Sequence, residues 1–367
     1  MKISICFPQY NRIHLLIKSL RLIEKQTYSN IEIVISDDCS MDETEQEIKK
    51  LQEQYKYPII YHRNEKNTGY DRNYRKCIEL GTGDYCLVIG NDDSLYMPTA
   101  MERLAAFLKE NNCPEIGFCN YVEDKNKEYV VKRALKTGVI GSGLTVALKN
   151  YNGFSFVGGL IYKKEAFEKY NTDKHDGSIY SQMFLGLLMI AKGCRLFTIE
   201  EPLVLKDLLN EDGSFRWSAY RNGLPKSWKE YRLVETGLNS VANVLINAAE
   251  EATNTPNYSV SLRILGRLYM VTYPFWLVQY KKYGSMAAAV GAIQGMNPLR
   301  NSSYKKLNFS GKAILLFIYF FSSLTALLFP VFIFEKVKNG LYLMARMNPV
   351  RLIKYHLKYR SLKKQYV

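Results

Sequence analysis

Over roughly the first 120 residues the apolar positions switch repeatedly between a period of two and a helical period, as strands alternating with helices do. Residues 2–7 place Ile3, Ile5 and Phe7 on one face, and residues 12–26 place Ile13, Leu16, Ile17, Leu20 and Ile23 on one helical stripe. Strand patterns recur at 31–35 and 58–62. The run 85–89 is apolar throughout, as a strand covered on both faces should be. Residues 70–80 read as a helix, Ser40 and Glu43 have capping-box spacing, and Pro98 stands where a further helix would open. These patterns predict a mostly parallel sheet with flanking helices. Farther on, 115–121, 128–132 and 156–162 read as strands, 138–143 as a glycine-rich loop, and the stretches from 163 and over 178–192 as helices. From about 228 the pattern is helical to the end. The turn-rich Arg221-Asn222-Gly223-Leu224-Pro225 suggests a boundary near 225, giving parts 1–225, 226–310 and 311–367.

Three polar clusters sit where predicted strands stop: Tyr10 and Asn11, Asp37 and Asp38, and Asp92 and Asp93. If these strands are parallel neighbours, all three clusters line one sheet edge, the edge at which open α/β sheets bind ligands. One aromatic ring with several carboxylates suits a nucleotide base, a ribose and a metal ion. Tyr10 could stack on a base, or be an ordinary core-edge tyrosine among 28 in the chain. Asp38 could accept the imide N–H of uracil, since a carboxylate is a pure acceptor. Asp37 could hold the ribose or its own loop; the plain alternative for the pair is a solvated turn.

The segments Pro8-Gln9-Tyr10-Asn11-Arg12, Asp37-Asp38-Cys39-Ser40 with Asp42 and Thr44, Asn67-Thr68-Gly69, and Gly83-Asp84-Tyr85 leading to Asn91-Asp92-Asp93 occur in order over about residues 1–200. This arrangement resembles the family 2 glycosyltransferases of bacterial cell-surface polysaccharide synthesis. The resemblance implies the Rossmann-like A-type fold and inverting transfer from a nucleotide sugar. It implies nucleotide contacts from Pro8, Tyr10, Asn11, Asp37, Asp38, Asn67, Gly69 and Asp92. Asp93 would bind Mn²⁺ or Mg²⁺, hard ions that take carboxylate and phosphate oxygens. The family's usual Asp-x-Asp is replaced by Gly90-Asn91 before the acidic pair. Inversion needs a general base for the acceptor hydroxyl. Where relatives carry Glu-Asp, this chain has Ser181-Gln182, which leaves Asp176 as the nearest carboxylate and Asp173 as the alternate. Asp176 could equally cap or turn the chain. Arg72 reads as a surface helix charge. Residues 156–159 lie where relatives build the acceptor side. Phe215-Arg216-Trp217 is similar to the Gln-x-x-Arg-Trp of processive synthases, but Gly213 replaces the glutamine, so single addition is expected.

The formal charge is +15, and the stretch from Lys336 to Val367 holds nine basic and no acidic residues. Before it, residues 313–334 are uncharged, about 33 Å as a helix and long enough for a bilayer core. An apolar segment followed by a basic tail suits anionic lipid at a cytoplasmic membrane face. A single crossing would set the tail outside, against the positive-inside rule. A monotopic or re-entrant attachment is therefore expected, with Ser322-Ser323 and Pro330 as possible breaks or the 13-residue run 268–280 as a partner. The acceptor would be a lipid-linked or other glycan. The seven cysteines stand singly, without zinc spacing, which suits a reducing compartment, and residues 3–7 are too short for a signal-peptide core. A nucleic-acid binder is disfavoured because its aromatics are not interleaved with charge, and a nucleotidyltransferase because 7–12 lacks glycine. A non-catalytic membrane scaffold that keeps the fold is the remaining alternative.

Overall fold

The computed structural model describes residues 1–214 and 237–346. Phe215-Arg216-Trp217, the expected boundary near 225 and most of the basic tail lie outside the described residues. The chain divides into two compact units, Met1–Ala219 with Val244–Pro256, and Tyr220–Asn243 with Asn257–Val367.

The first unit is built on a sheet. Its strands are β1 (Ile3–Gln9), β2 (Ile31–Asp37), β3 (Ile59–Arg63), β4 (Tyr85–Val88), β5 (Ser94–Leu95), β6 (Ile116–Glu123), β7 (Asn126–Val131), β8 (Gly138–Gly141), β9 (Leu160–Lys163) and β10 (Leu196–Lys206). Their order is β3-β2-β1-β4-β9-β6-β10-β5, with β7 beside β6 and β8 beside β10. Helices α1 (Ile13–Ile23), α2 (Thr44–Gln52), α3 (Tyr70–Leu80) and α4 (Ala100–Glu110) connect the first strands, and α5 (Leu144–Asn150), α6 (Lys164–Tyr170) and α7 (Ser181–Ala191) follow. The sheet is parallel across β3-β2-β1-β4 and mixed beyond, because β9 runs antiparallel to both β4 and β6. β10 runs parallel to β6. Two reversals thus restore the direction of β1, so β10 ends at the same edge as β1, β2 and β4. The core is formed by Ile3, Ile5 and Phe7 with Leu16, Leu20 and Ile23 of α1 and Met101 and Leu104 of α4, all essentially inaccessible.

Three local expectations need correction. Residues 138–143 are not a loop: Gly138–Gly141 is a strand at the sheet margin. The capping box does not form, because Ser40 Oγ donates to Asp37 and accepts from the Asn11 N–H (2.7 Å), and α2 starts with no side-chain cap. The strand read over 156–162 is confined to Leu160–Lys163.

The second unit is helical. A helix over Tyr258–Arg267 runs through a π-helical turn, Leu268–Thr272, into Tyr273–Tyr283; further helices span Met286–Gly295, Phe309–Leu328 and Val331–Arg346. The 313–334 run is thus two helices broken at Phe329-Pro330. Ser322 and Ser323 do not break it: they are buried inside Phe309–Leu328, and Ser323 Oγ lies 2.7 Å from Tyr273 Oη. Among the described residues, Phe309–Leu328 is one helix long and apolar enough to cross a membrane.

Candidate active site

The β1 end is a hub because Gln9 is wholly buried and uses both ends of its amide. Its Nε2 donates to Asn11 O and Thr44 Oγ1, while its Oε1 accepts from Asn91 Nδ2 (3.0 Å). Its carbonyl accepts from Asn73 Nδ2 of α3 (3.0 Å). The side chain therefore ties the β1 and β4 ends to the start of α2, and the backbone carbonyl adds α3. Asn11 and Arg12 both adopt left-handed backbone, which turns the chain sharply after β1. The cost is offset by cross-links to the next loop: Asn11 Oδ1 accepts from Met41 N–H (2.9 Å) and Asp42 from Ile13 N–H (2.9 Å). Pro8 is half-buried inside β1 opposite Ser36, and Tyr10 is half-buried just past it.

Asp37 is fully buried and accepts from Ser40 N–H (2.9 Å), Ser40 Oγ and Tyr61 Oη (2.8 Å). Of its two expected roles, the one this geometry serves is holding the local loop. Asp38 Oδ1 accepts from Asn64 Nδ2 (2.9 Å), Thr68 N–H (2.7 Å) and Thr68 Oγ1 (2.8 Å), and its Oδ2 from Gly69 N–H (2.9 Å). Three of these four bonds fall on Oδ1, so the carboxylate shapes the 64–69 loop while Oδ2, with one partner, keeps an acceptor position for the base N–H expected of Asp38. Gly69, at φ 86°, opens α3 in a conformation that side chains resist, and Asn67 Oδ1 accepts from its N–H (3.1 Å).

The acidic pair after β4 splits in character. Asp92 is ion-paired with Arg12 (2.6 Å). Asp93 is almost wholly buried, and its Oδ1 accepts from Asp207 N–H (2.9 Å). Its Oδ2 lies against two glycines: a Cβ on Gly90 would come within 2.9 Å of it and one on Gly158 within 2.7 Å. Burial, then the Asp92 charge, push the Asp93 carboxyl well above its usual range, with the Asp207 N–H pulling the other way. Asp207 comes from the end of β10 in left-handed backbone and is ion-paired with Lys206. Among the described residues, no three His, Cys, Asp or Glu side chains form a group able to cage a metal ion.

Asp176 does not present a free carboxylate. Arg75 of α3, a buried guanidinium, donates to both of its oxygens (3.0 and 2.5 Å) and also to Asn171 (3.1 Å). Asp71, one turn earlier on α3, caps α7 from outside by accepting from Ile179 N–H (2.7 Å) and Ser181 N–H (3.1 Å). Burial raises its pKa, and those two N–H groups oppose the rise. Gln182 Oε1 is buried there without a hydrogen-bond partner. Arg72 is exposed, as expected of a surface charge.

Sequence reading missed Gln9, Arg12, Asp71, Arg75, Lys206 and Asp207 as site-shaping residues. A signal existed for the last two: Leu203-Val204-Leu205 followed by Lys206-Asp207 repeats the apolar-run-then-polar pattern of the other strand ends.

Residues 4–171 match the description Glycosyl transferase family 2. That span is a family 2 glycosyltransferase domain. The abequosyltransferase RfbV of Salmonella typhimurium is 33% identical over 223 residues, 56% of this chain and 66% of that protein. The GalNAc(5)-diNAcBac-PP-undecaprenol beta-1,3-glucosyltransferase of Campylobacter jejuni is 27% identical over 169 residues, 46% of this chain and 53% of that protein. The chain thus spans less than two thirds of the length of these curated relatives. The family 2 fold extends to a solved structure, S. aureus TarS 1-349 in complex with UDP, with a TM-score of 0.56 at 15% identity over 89% of this chain and 91% of that one.

Proposed function

We propose that the protein transfers a sugar from a nucleotide donor, a UDP-sugar by preference, to a glycan hydroxyl with inversion. The observation that carries this is the convergence of four strand ends, β1, β2, β4 and β10, on one sheet edge where Asp93 stands beside two glycines. Donor contacts would come from Pro8, Tyr10, Asn11, Asn67, Gly69 and Asp92 and from Asp38 through its Oδ2, with Asp37 holding the loop that presents them. Asp93, with the Asp92 carboxylate beside it, would hold a divalent cation, Mn²⁺ or Mg²⁺, of the kind that takes one or two carboxylates plus phosphate and water oxygens. Such an ion would offset charge on the departing diphosphate. Asp176 remains the candidate base only if substrate draws it off Arg75. The pair's occupied state favours the second reading, a non-catalytic relative that keeps the fold.

The acceptor we infer is lipid-linked, consistent with the undecaprenol in the Campylobacter relative's name. The second unit supports a monotopic attachment: Phe317, Phe320, Phe321, Leu324 and Leu328 are each more than half exposed on the helix whose other side buries Leu315, Tyr319 and Ser323. Lys305, Lys306 and Lys312 stand before and at the start of the apolar helix, as anionic lipid would favour. The test is binding of UDP, dTDP, GDP and CDP, with and without Mn²⁺, to wild type and Asp93→Ala, followed by turnover of the bound donor class. Metal-dependent binding lost in the variant, with turnover, supports the transferase. Binding without turnover supports the non-catalytic reading, and no binding removes the donor site.

A further inference from the structure

We infer that Lys206 is a catalytic cation that contacts the donor's diphosphate and stabilises its departure. This rests on the donor-site reading above and assigns it a residue that the family motifs do not contain. Lys206 is the last residue of β10, so it stands at the ligand edge of the sheet. Its side chain is only 21% exposed. On one side it pairs with Asp207, whose N–H is bonded to the Asp93 carboxylate (2.9 Å). It also stands 5.5 Å from the ring centre of Phe156 and 5.9 Å from that of Tyr121. The two rings pack at 4.7 Å. An ammonium held this way is already stripped of much of its water and is shared with Asp207, so it is held in place for an anion beside Asp93 with little further desolvation cost.

The surroundings fix that position from behind. Arg133 donates from Nε to Cys119 O (2.6 Å), from Nη1 to Gly153 O (3.1 Å) and Phe156 O (2.7 Å), and from Nη2 to Gly158 O. Three of these four carbonyls belong to one loop, which lays Phe156 against Lys206 and Gly158 against Asp93. A Cβ at Gly158 would meet the Phe156 ring at 2.8 Å as well as Asp93, so ring, glycine and carboxylate are contiguous. Lys206 thus borders the place where the leaving diphosphate would lie.

In the transfer, the acceptor oxygen bonds to the anomeric carbon as the bond from that carbon to the diphosphate oxygen breaks. The bonding pair leaves with the diphosphate, and the acceptor proton passes to a base. Lys206 stays protonated throughout and offsets the added negative charge.

The test uses the nucleoside diphosphate that the wild-type protein binds among UDP, dTDP, GDP and CDP, and its matching monophosphate. Titrations with Lys206→Gln and Lys206→Arg are compared with wild type, alongside steady-state kinetics and thermal melts. Lys206→Gln should weaken diphosphate binding about tenfold or more, leave monophosphate binding within about twofold, and lower kcat, with Lys206→Arg recovering most of both. If Lys206→Gln weakens both ligands equally, or neither, while wild type binds normally, the assignment is overturned and the donor-site reading stands. If wild type binds no nucleotide, both fall. Should Lys206→Gln fail to melt cooperatively, Lys206→Arg decides alone: retained diphosphate preference supports the charge role, and loss of preference with intact folding overturns it.

Discussion

At Gly158 a single methyl group separates two functions of the loop. The residue's backbone is ordinary, so alanine would not strain it, but its Cβ would stand 2.7 Å from Asp93 Oδ2 and 2.8 Å from the Phe156 ring. One of these groups must move. We expect Gly158→Ala to lower kcat/KM by about tenfold or more, since displacement by a fraction of an ångström at a reacting centre is costly, with a melting temperature only a few degrees lower. Full activity in this variant would show that Asp93 does not need its present position. The Arg75–Asp176 pair poses a different question. Breaking a buried ion pair by removing one partner costs about 3–5 kcal/mol when both are fully buried; Asp176 is about a quarter exposed, so the figure is discounted to roughly 2 kcal/mol for Asp176→Asn. The expected loss is measured by chemical denaturation, and a double-mutant cycle with Arg75→Met should recover part of it. A kcat loss of about 100-fold in folded Asp176→Asn would in addition assign the proton transfer to this carboxylate; a loss confined to stability leaves it a strut.

The elements most legible in the sequence were those whose periodicity runs uninterrupted. β1 with α1, β2, β3, α3 and β4 are all short apolar repeats bounded by polar residues, and their parallel register follows from the alternation. β10 was missed although it is the longest strand described. Glu200-Glu201-Pro202 breaks its apolar run, and the register with β6 shifts on both sides of Pro202, so the strand is continuous in space but not in pattern. Losing β10 meant losing Lys206 and Asp207. Asp38 stands out in the sequence as a candidate, but its partners are not legible there, because the donors come from a loop 26 to 31 residues on. The opposite end of the sheet offers a control. Glu32, at the start of β2, is buried yet accepts from Ser4 Oγ, Thr82 N–H (2.6 Å) and Thr82 Oγ1 (2.7 Å) and pairs with Lys2. Burial pushes its carboxyl upward, but Lys2, Ser4 and Thr82 outweigh that and hold it below the usual range. A lowered folded-state pKa means stability that is present above the unfolded pKa and lost as pH falls through the folded one. Glu32→Gln should therefore cost about 2 kcal/mol at pH 7, and the gap to wild type should close as the pH drops below about 4. Nucleotide binding should be unchanged, because this network lies at the edge away from the site. A pH-independent gap in urea titrations would contradict the assignment.

At the scale of the whole molecule, the helical unit has a one-sided design. Tyr269, Tyr273 and Tyr319 cluster with ring centres 5.3 to 6.0 Å apart, and Tyr269 and Tyr319 donate to Met296 O (2.6 Å) and Ile293 O (2.8 Å). The inner side of Phe309–Leu328 is thus aromatic and hydrogen-bonded, while its outer side is bare phenylalanine and leucine. The helix also ends in a manner suited to an apolar surrounding. Lys281 Nζ donates to the carbonyls of Ala326 (3.2 Å), Leu327 (2.8 Å) and Phe329 (2.6 Å), groups that a helix C-terminus otherwise leaves to water. With those carbonyls satisfied internally, the break at Pro330 can lie in an interface without exposing unbonded backbone to hydrocarbon. The proposal of monotopic binding then predicts flotation of the full chain with vesicles containing phosphatidylglycerol, weaker flotation with phosphatidylcholine alone, and partial release by salt. Replacing Phe317, Phe321 and Leu324 together by serine should abolish flotation while leaving nucleotide binding intact, because none of the three contributes to the buried side of the helix. Wild-type protein that stays in the aqueous fraction with both vesicle types would refute the attachment. Flotation that survives the triple substitution but disappears on removing the basic residues beyond 346 would shift the attachment to the tail.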